Sequence, residues 1–200
     1  MRKQDCRMNN IKLIISDFDG TLVNTFRANY EAYKRSFEDV GLSLTEDKYR
    51  ECFGFRYDDM MAYLNITDDE IKNLIREQKA QYYPSFFNLL EVNNVLLNFI
   101  RHFKLSGGKT ALASTARREN LMNAITYINA EDAFNLILSG ESVEKGKPDP
   151  EIYLKTMAEF NAKPEETLVF EDSEVGLMAA DRAGTKYIRI TSEYFNGDRC

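Results

Sequence analysis

"IKLIISDFDGTLVNT", residues 11–25, carries a mostly apolar run into two acids spaced two apart, Asp17 and Asp19. Ile11–Ser16 is apolar and β-branched apart from Lys12, and it reads as a buried strand. Two carboxylates so close repel one another, and burial makes each charge more costly. Such a strand end implies a cationic partner that the neighbouring sequence does not supply. In extended backbone, positions i and i+2 share a face, so Asp17 and Asp19 face one ligand while Phe18 turns away. Gly20 permits a tight exit, and Thr21 offers a hydroxyl to hold the loop. Oxygen ligands at this spacing suit Mg²⁺, which keeps several waters and engages one or two carboxylates plus phosphate. The plainer reading is a strand-end turn with solvated acids.

Downstream, strands are expected at Lys109–Ala113, Phe134–Leu138, Thr167–Phe170 and Lys186–Ile190. Their near-continuous apolar character suits strands covered on both faces. Helical patterns at Glu119–Ile128, Pro150–Phe160 and Glu174–Ala183 alternate with them. That alternation implies right-handed crossovers and an α/β fold, a Rossmann-like doubly wound parallel sheet. Residues 26–90 break the rhythm. "FRANYEAYKRSFEDVG", residues 26–41, is an amphipathic helix, and "SLTE" (Ser43–Glu46) and "TDDE" (Thr67–Glu70) fit capping boxes. The second opens a helix that runs to Pro84, and no strand is expected in the stretch. An all-helical insert therefore follows the first acidic loop. It stands at the carboxyl edge, where open α/β sheets bind ligands, and overhangs the site like a lid.

Three more strand ends carry candidate chemistry. In "TALASTARREN", residues 110–120, Ser114 ends a strand just before an expected helix, and such a junction holds phosphate. Alternatively Ser114 or Thr115 is only an N-cap. In "EKGKPDPEIYL", residues 144–154, Pro148 stiffens the backbone around Lys147, and Pro150 is placed to start a helix. A lysine there offsets negative charge between acids and a phosphoryl group. Lys145 is its rival, and a solvated lysine is the plain reading. In "TLVFEDSEVGLMAADRAGTKYIRI", residues 167–190, a strand runs into Glu171 and Asp172, with Asp172 a third metal carboxylate or merely a helix cap. Together the strand ends assemble a nucleophile, a hydroxyl, a cation and a metal seat around one phosphoryl-sized space.

Bulk properties narrow the function classes. The 200 residues carry a net charge of −6, with 44% hydrophobic and 29% charged residues, an ordinary globular composition. That charge argues against a nucleic-acid face. No apolar run approaches the about 20 residues of a membrane span. Residues 1–10 are basic without an apolar core, and read as a flexible tail rather than a secretory signal. Cys6, Cys52 and Cys200 are far apart, as expected of reduced thiols in a cytoplasmic protein.

The sequence resembles the haloacid dehalogenase-like (HAD) hydrolase superfamily, nearest to its helical-cap phosphatases and β-phosphoglucomutase-like enzymes. "DFDGTLVNT", "ALAST", "GKPDPEIY" and "FEDSEVGLMAADRAG" resemble its four motifs in order, over residues 11–190. The resemblance implies a Rossmann-like catalytic core (residues 11–25 and 91–200) and a mobile helical cap (26–90). It implies Asp17 as nucleophile and Asp19 as general acid/base. Mg²⁺ is then held by the side chains of Asp17 and Asp172 and the backbone carbonyl of Asp19. Glu171 lies on the metal's rim or behind it, Ser114 and Lys147 bind phosphoryl oxygens, and Thr25 falls where the cap hinge begins. Asn24 departs from the usual acid, and "NLLEVNNVL" (residues 88–96) replaces the usual second hinge. The chain also stops soon after its last strand, where relatives often continue with another helix.

The implied chemistry is phosphoryl transfer from a small phosphorylated metabolite through an aspartyl-phosphate. Asp19 then needs a raised pKa, from burial and anionic neighbours. In the cap, Arg56 and Lys79 are candidates to reach a substrate anion or hydroxyl, although solvated helix charges are the plainer reading. Mutases of the family carry an arginine three residues after a glycine. Here Tyr57 holds that place after Gly54 and Arg56 comes one early, which favours a phosphatase over a sugar-phosphate mutase. A phospho-acceptor signalling module, from another class, lacks the second Asp and the helical lid.

Overall fold

The computed structural model describes residues 10–195. Leu13–Ser16 forms β1, the centre of a five-stranded sheet. β4 (Lys109–Ala113) and β6 (Thr167–Glu171) flank it in parallel, with Leu13 opposite both Lys109 and Thr167. β5 (Leu136–Leu138) and β7 (Lys186–Arg189) lie at the edges, giving the order β5-β4-β1-β6-β7. Because every strand runs the same way, their carboxyl ends deliver Asp17, Ser114 and Glu171 to one edge.

Helices cover both faces. Ile14 and Leu112 pack on one side with α5 (Asn94–Leu105) and α6 (Arg118–Tyr127), through Leu97, Ile100, Leu121 and Ile125. Leu13, Ile15 and Val169 pack on the other with α7 (Glu151–Glu159) and α8 (Glu174–Arg182), through Ile152, Met157 and Ala180. Opposite faces of one strand thus feed two cores, which is why β1 is apolar from Leu13 to Ile15.

Two expected strands differ. β5 begins at Leu136 rather than Phe134, because the Asn135 side chain takes a ladder position, accepting from the N–H of Thr110 at 3.0 Å. β7 is exposed along its whole length, with Tyr187 and Ile188 44% and 42% exposed, so it is not covered on both faces. α5 was not singled out in the sequence. Asn93 caps it by accepting from Leu96 N–H, and its amide donates to the carbonyl of Thr21, tying the helix to the acidic loop.

The insert comprises α1 (Phe26–Asp39), α2 (Glu46–Cys52), α3 (Tyr57–Tyr63) and α4 (Asp69–Tyr82), followed by a 3₁₀ segment, Tyr83–Leu89. Among the described residues no strand lies between 26 and 90. Both caps shift from their expected positions. Thr45, not Ser43, caps α2, because Leu44 is buried in the insert's own core and precedes the helix. Asp68, not Thr67, caps α4, its carboxylate accepting from the N–H groups of Glu70 and Ile71. Phe37, Tyr49, Met61 and Ile75 make the insert a core of its own, while Ala28, Ala32, Tyr83 and Phe87 join the main one. At its base β2 (Val23–Asn24) pairs antiparallel with β3 (Glu91–Val92), closing the gap where the chain leaves and returns.

Among the described residues no helix is long and apolar enough to cross a membrane. Cys52 is buried with a free thiol. Cys6, Cys200 and the tail, but for Asn10, lie outside the described residues.

Candidate active site

The β1 ladder continues one residue beyond the strand, since Asp17 N–H donates to the carbonyl of Phe170 at 3.0 Å. This fixes Asp17 at the sheet edge, where it is only 6% exposed. Lys147 reaches it from the segment before α7. Its ammonium donates to Asp17 Oδ1 at 2.6 Å, to Glu171 Oε1 and to the carbonyl of Ala113 at 3.3 Å. Glu171 Oε2 accepts from the N–H groups of Asp172 and Ser173, at 2.9 and 3.0 Å, and from the Ser173 hydroxyl. The Tyr153 hydroxyl donates to Oε1 at 3.2 Å. Thr21, as its place in the loop suggested, donates its hydroxyl to Asp172 Oδ1 at 2.9 Å. Gly20 is required twice over, by a φ of +84° and because a Cβ there would overlap the Asp172 carboxylate. Ser173 caps α8 by accepting from Gly176 N–H, so Asp172 is not the cap.

Oxygens of Asp17, Glu171 and Asp172 lie within 4.8 Å of one another. One ammonium cannot balance three carboxylates. Burial pushes the Asp17 carboxyl well up, as do Glu171, Asp172 and Asp19, while Lys147 opposes them. Burial, then Glu171, raises Asp172 to about 6. Burial also works against an ionised Glu171, but the Lys147 charge and donors from Lys147 and Ser173 hold it below its ordinary value. Burial disfavours the Lys147 ammonium, yet Asp17, Tyr153 and Glu171 hold it well above its usual range. An excess of hard anionic oxygen in a cavity is the donor set Mg²⁺ takes, and the residues fit that ion.

Asp19 faces differently. Its Oδ1 accepts from the Thr25 hydroxyl at 2.5 Å and from the Asn29 amide at 3.5 Å, and its Oδ2 from Ser114 Oγ at 3.4 Å. Burial raises its pKa, opposed by Thr25, Lys79, Lys147 and Ser114. The expected direction is present, but its source is burial rather than anionic neighbours. Ser114 Oγ also accepts from Ala116 N–H at 3.0 Å, and α6 begins only at Arg118 with Arg117 preceding it. Neither Ser114 nor Thr115 is an N-cap.

Two cavities meet at Asp19. The smaller, about 320 Å³, is bordered by Asp17, Lys147, Glu171 and Asp172 from the core and by Arg56 and Asp59 from the insert. The larger, about 590 Å³, is bordered by Tyr33, Tyr49, Tyr83, Lys79 and Arg117. Lys79 is not a solvated helix charge: it is 7% exposed, with its ammonium 3.9 Å from the Tyr83 ring centre and 5.2 Å from that of Tyr33. Burial depresses its pKa to about 8, with Asp19 opposing and Arg117 adding to the effect. Arg56 is half-buried and borders both cavities. Thr25 and Asn29, which hold Asp19, and Tyr153, which holds Glu171, carried no chemical signal in the sequence. Only the approach of α1 and α7 to the sheet edge reveals them.

A family model described as "Haloacid dehalogenase-like hydrolase" matches residues 14–190. The chain belongs to this family, on its phosphatase branch. It is a phosphoric monoester hydrolase by class. A "Phosphorylated carbohydrates phosphatase" of Thermotoga maritima is 33% identical over 184 residues, 89% of this chain and 84% of that protein. CbbY of Rhodobacter sphaeroides, solved in complex with phosphate, is 24% identical with a TM-score of 0.81, covering 94% of this chain and 90% of that one. A β-phosphoglucomutase of Clostridium difficile is 22% identical with a TM-score of 0.78, over 93% and 87%. The two structures share the fold, and the five parallel strands with helices on both faces are its Rossmann-like part.

Proposed function

We propose that this hydrolase is a Mg²⁺-dependent phosphatase of small phosphorylated metabolites, working through an aspartyl-phosphate on Asp17. The observation that carries the reading is the set of buried Asp17 and Glu171 and half-buried Asp172 beside one ammonium, Lys147, with Asp19 standing between two cavities. The phosphoryl group enters the smaller cavity and the leaving group the larger. Asp17 attacks phosphorus in line, and the P–O bond to the leaving alcohol breaks as Asp19 gives that oxygen its proton. Asp19 then takes a proton from water, which attacks the aspartyl-phosphate and releases inorganic phosphate with Asp17 restored. Such proton transfers contribute about 10²–10⁴-fold. Lys147 and Ser114 hold phosphoryl oxygens. The side chains of Asp17 and Asp172 and the carbonyl of Asp19 would hold Mg²⁺, which supplies positive charge against those oxygens. Glu171, with both oxygens engaged, stays on the rim and holds Lys147 in place.

Residues 26–90 act as the cap over a core formed by 11–25 and 91–200. Arg56 and Lys79 bind the substrate from the cap. Lys79 has no carboxylate in hydrogen-bond range among the described residues and suits an anion or hydroxyl of the leaving group. The name of the Thermotoga relative favours a phosphorylated carbohydrate. Tyr57, at the position of the mutase arginine, is turned into the insert, donating its hydroxyl to the carbonyl of Lys72. That favours transfer to water over return to substrate. The free Cys52 thiol suits a cytoplasmic setting.

The test is phosphate release from a panel of sugar phosphates, nucleotides and small phosphorylated acids, with and without Mg²⁺. Release from at least one compound that stops without the ion is expected. Isomerisation of β-glucose 1-phosphate with a bisphosphate primer and without free phosphate would establish the mutase instead. A lasting aspartyl-phosphate without turnover would indicate a phospho-acceptor module.

A further inference from the structure

Arg56 comes from the insert and meets the core at Gly146. A Cβ on residue 146 would overlap Nε, Cζ and a terminal nitrogen of the Arg56 guanidinium. Gly146 is not among the glycines with positive φ, so backbone conformation does not call for glycine there. What the residue provides is room, and the guanidinium fills it. The Arg56 side chain makes no hydrogen bond or ion pair with any other described residue, yet it borders both cavities. The next residue, Lys147, already bonds Asp17. An unpaired cation of the insert therefore rests beside the cation of the core, where phosphoryl and leaving-group spaces meet. A half-buried guanidinium with no protein anion is completed by an anionic ligand that its planar donors can grip.

We propose that Gly146 is the seat that positions Arg56 against the phosphoryl group, so that docking of the insert and completion of the anion site are one event. The inference rests on the phosphatase reading and adds to it a positioning residue that acts only through Arg56. Its chemistry is steric: any side chain at 146 displaces the guanidinium, and the bond lost is between Arg56 and a phosphoryl oxygen.

The Gly146→Ala variant separates this role from a structural one. Alanine is compatible with the backbone and restricts the unfolded chain, so Tm stays at or above the wild-type value. With the best substrate of the panel, kcat/KM falls about 10- to 100-fold, the loss of one charge-assisted hydrogen bond. Arg56→Ala loses a similar factor, and the double variant loses no more than Arg56→Ala alone. Wild-type kcat/KM in Gly146→Ala overturns the proposal, as does a double variant whose loss is the product of the two single losses. A crystal structure of Gly146→Ala reads the placement without any turnover. A guanidinium moved off the core loop supports the proposal, and one still between the cavities overturns it. A wild-type enzyme releasing no phosphate from any compound would instead sink the phosphatase reading, and the structural readout would stand apart from that result.

Discussion

The Thr25 hydroxyl donates to Asp19 Oδ1 at 2.5 Å, joining the residue that leads into α1 to the proposed acid/base. Thr25 is fully buried, so water does not replace it. Its hydrogen bond favours the ionised carboxylate against the burial that raises Asp19. In Thr25→Val the pKa of Asp19 rises further, and the limb of the kcat/KM profile belonging to it moves to higher pH. A pH–rate profile superimposable on wild type would separate Asp19 from that limb.

Lys79 makes stability and binding oppose each other. Its folded pKa is about 8 against an ordinary 10.5. Below about 8 both folded and unfolded chains hold the proton, and the folded state bears the whole desolvation cost. Between about 8 and 10.5 the unfolded chain binds more protons, so stability rises with pH. Lys79→Met therefore gains on the order of 1–3 kcal/mol at pH 7, less its lost ring contacts, and the gap narrows towards pH 10.5. Urea unfolding at both ends of the range measures this. The same variant raises KM at pH 7 about tenfold or more.

Metal and proton compete at Asp172. In the metal-free protein its raised pKa means the folded state retains a proton. The stability from that proton is present below the ordinary carboxyl value, and it is lost as pH rises through about 6. Mg²⁺ needs the ionised form. The rise in Tm on adding Mg²⁺ is therefore larger at pH 7.5 than at pH 5, and an equal rise at both would place the ion elsewhere.

Lys147 and Asp17 predict opposite stability effects. Lys147→Met strands two buried carboxylates and costs about 3–5 kcal/mol besides activity. Asp17→Asn removes a charge that burial already opposes, so without Mg²⁺ it folds at least as stably as wild type while phosphate release stops. Chemical denaturation and a phosphate assay on both variants decide the matter.

Much of this was legible from the strand ends. A parallel sheet delivers whatever follows its strands to one edge, so Asp17, Ser114 and Asp172 stood out as candidates by position and residue type. Lys147 stood beside its rival Lys145, and the resemblance to the family, not position alone, gave all four their roles. The burial of Lys79, already a candidate for substrate contact, did not show itself there, because lysine is ordinarily solvated and only the packing of α4 against α1 and Tyr83 buries it. Nor did Thr25 and Asn29, whose contacts with Asp19 depend on where α1 leaves the sheet. β2 and β3 are two residues each, too short to show alternation. The exposure of β7 was open to reading, since its four residues KYIR include Lys186 and Arg189, charges that a strand covered on both faces does not carry.

The covalent intermediate tests the central claim most directly. Enzyme quenched during turnover with Mg²⁺ and substrate, then reduced with borohydride, converts an acyl phosphate to an alcohol that peptide mass spectrometry locates. Homoserine at position 17, dependent on substrate and absent in Asp17→Asn, is the expected result. Steady phosphate release with residue 17 recovered only as aspartate, or with the reduced carboxyl at another acid, would contradict it.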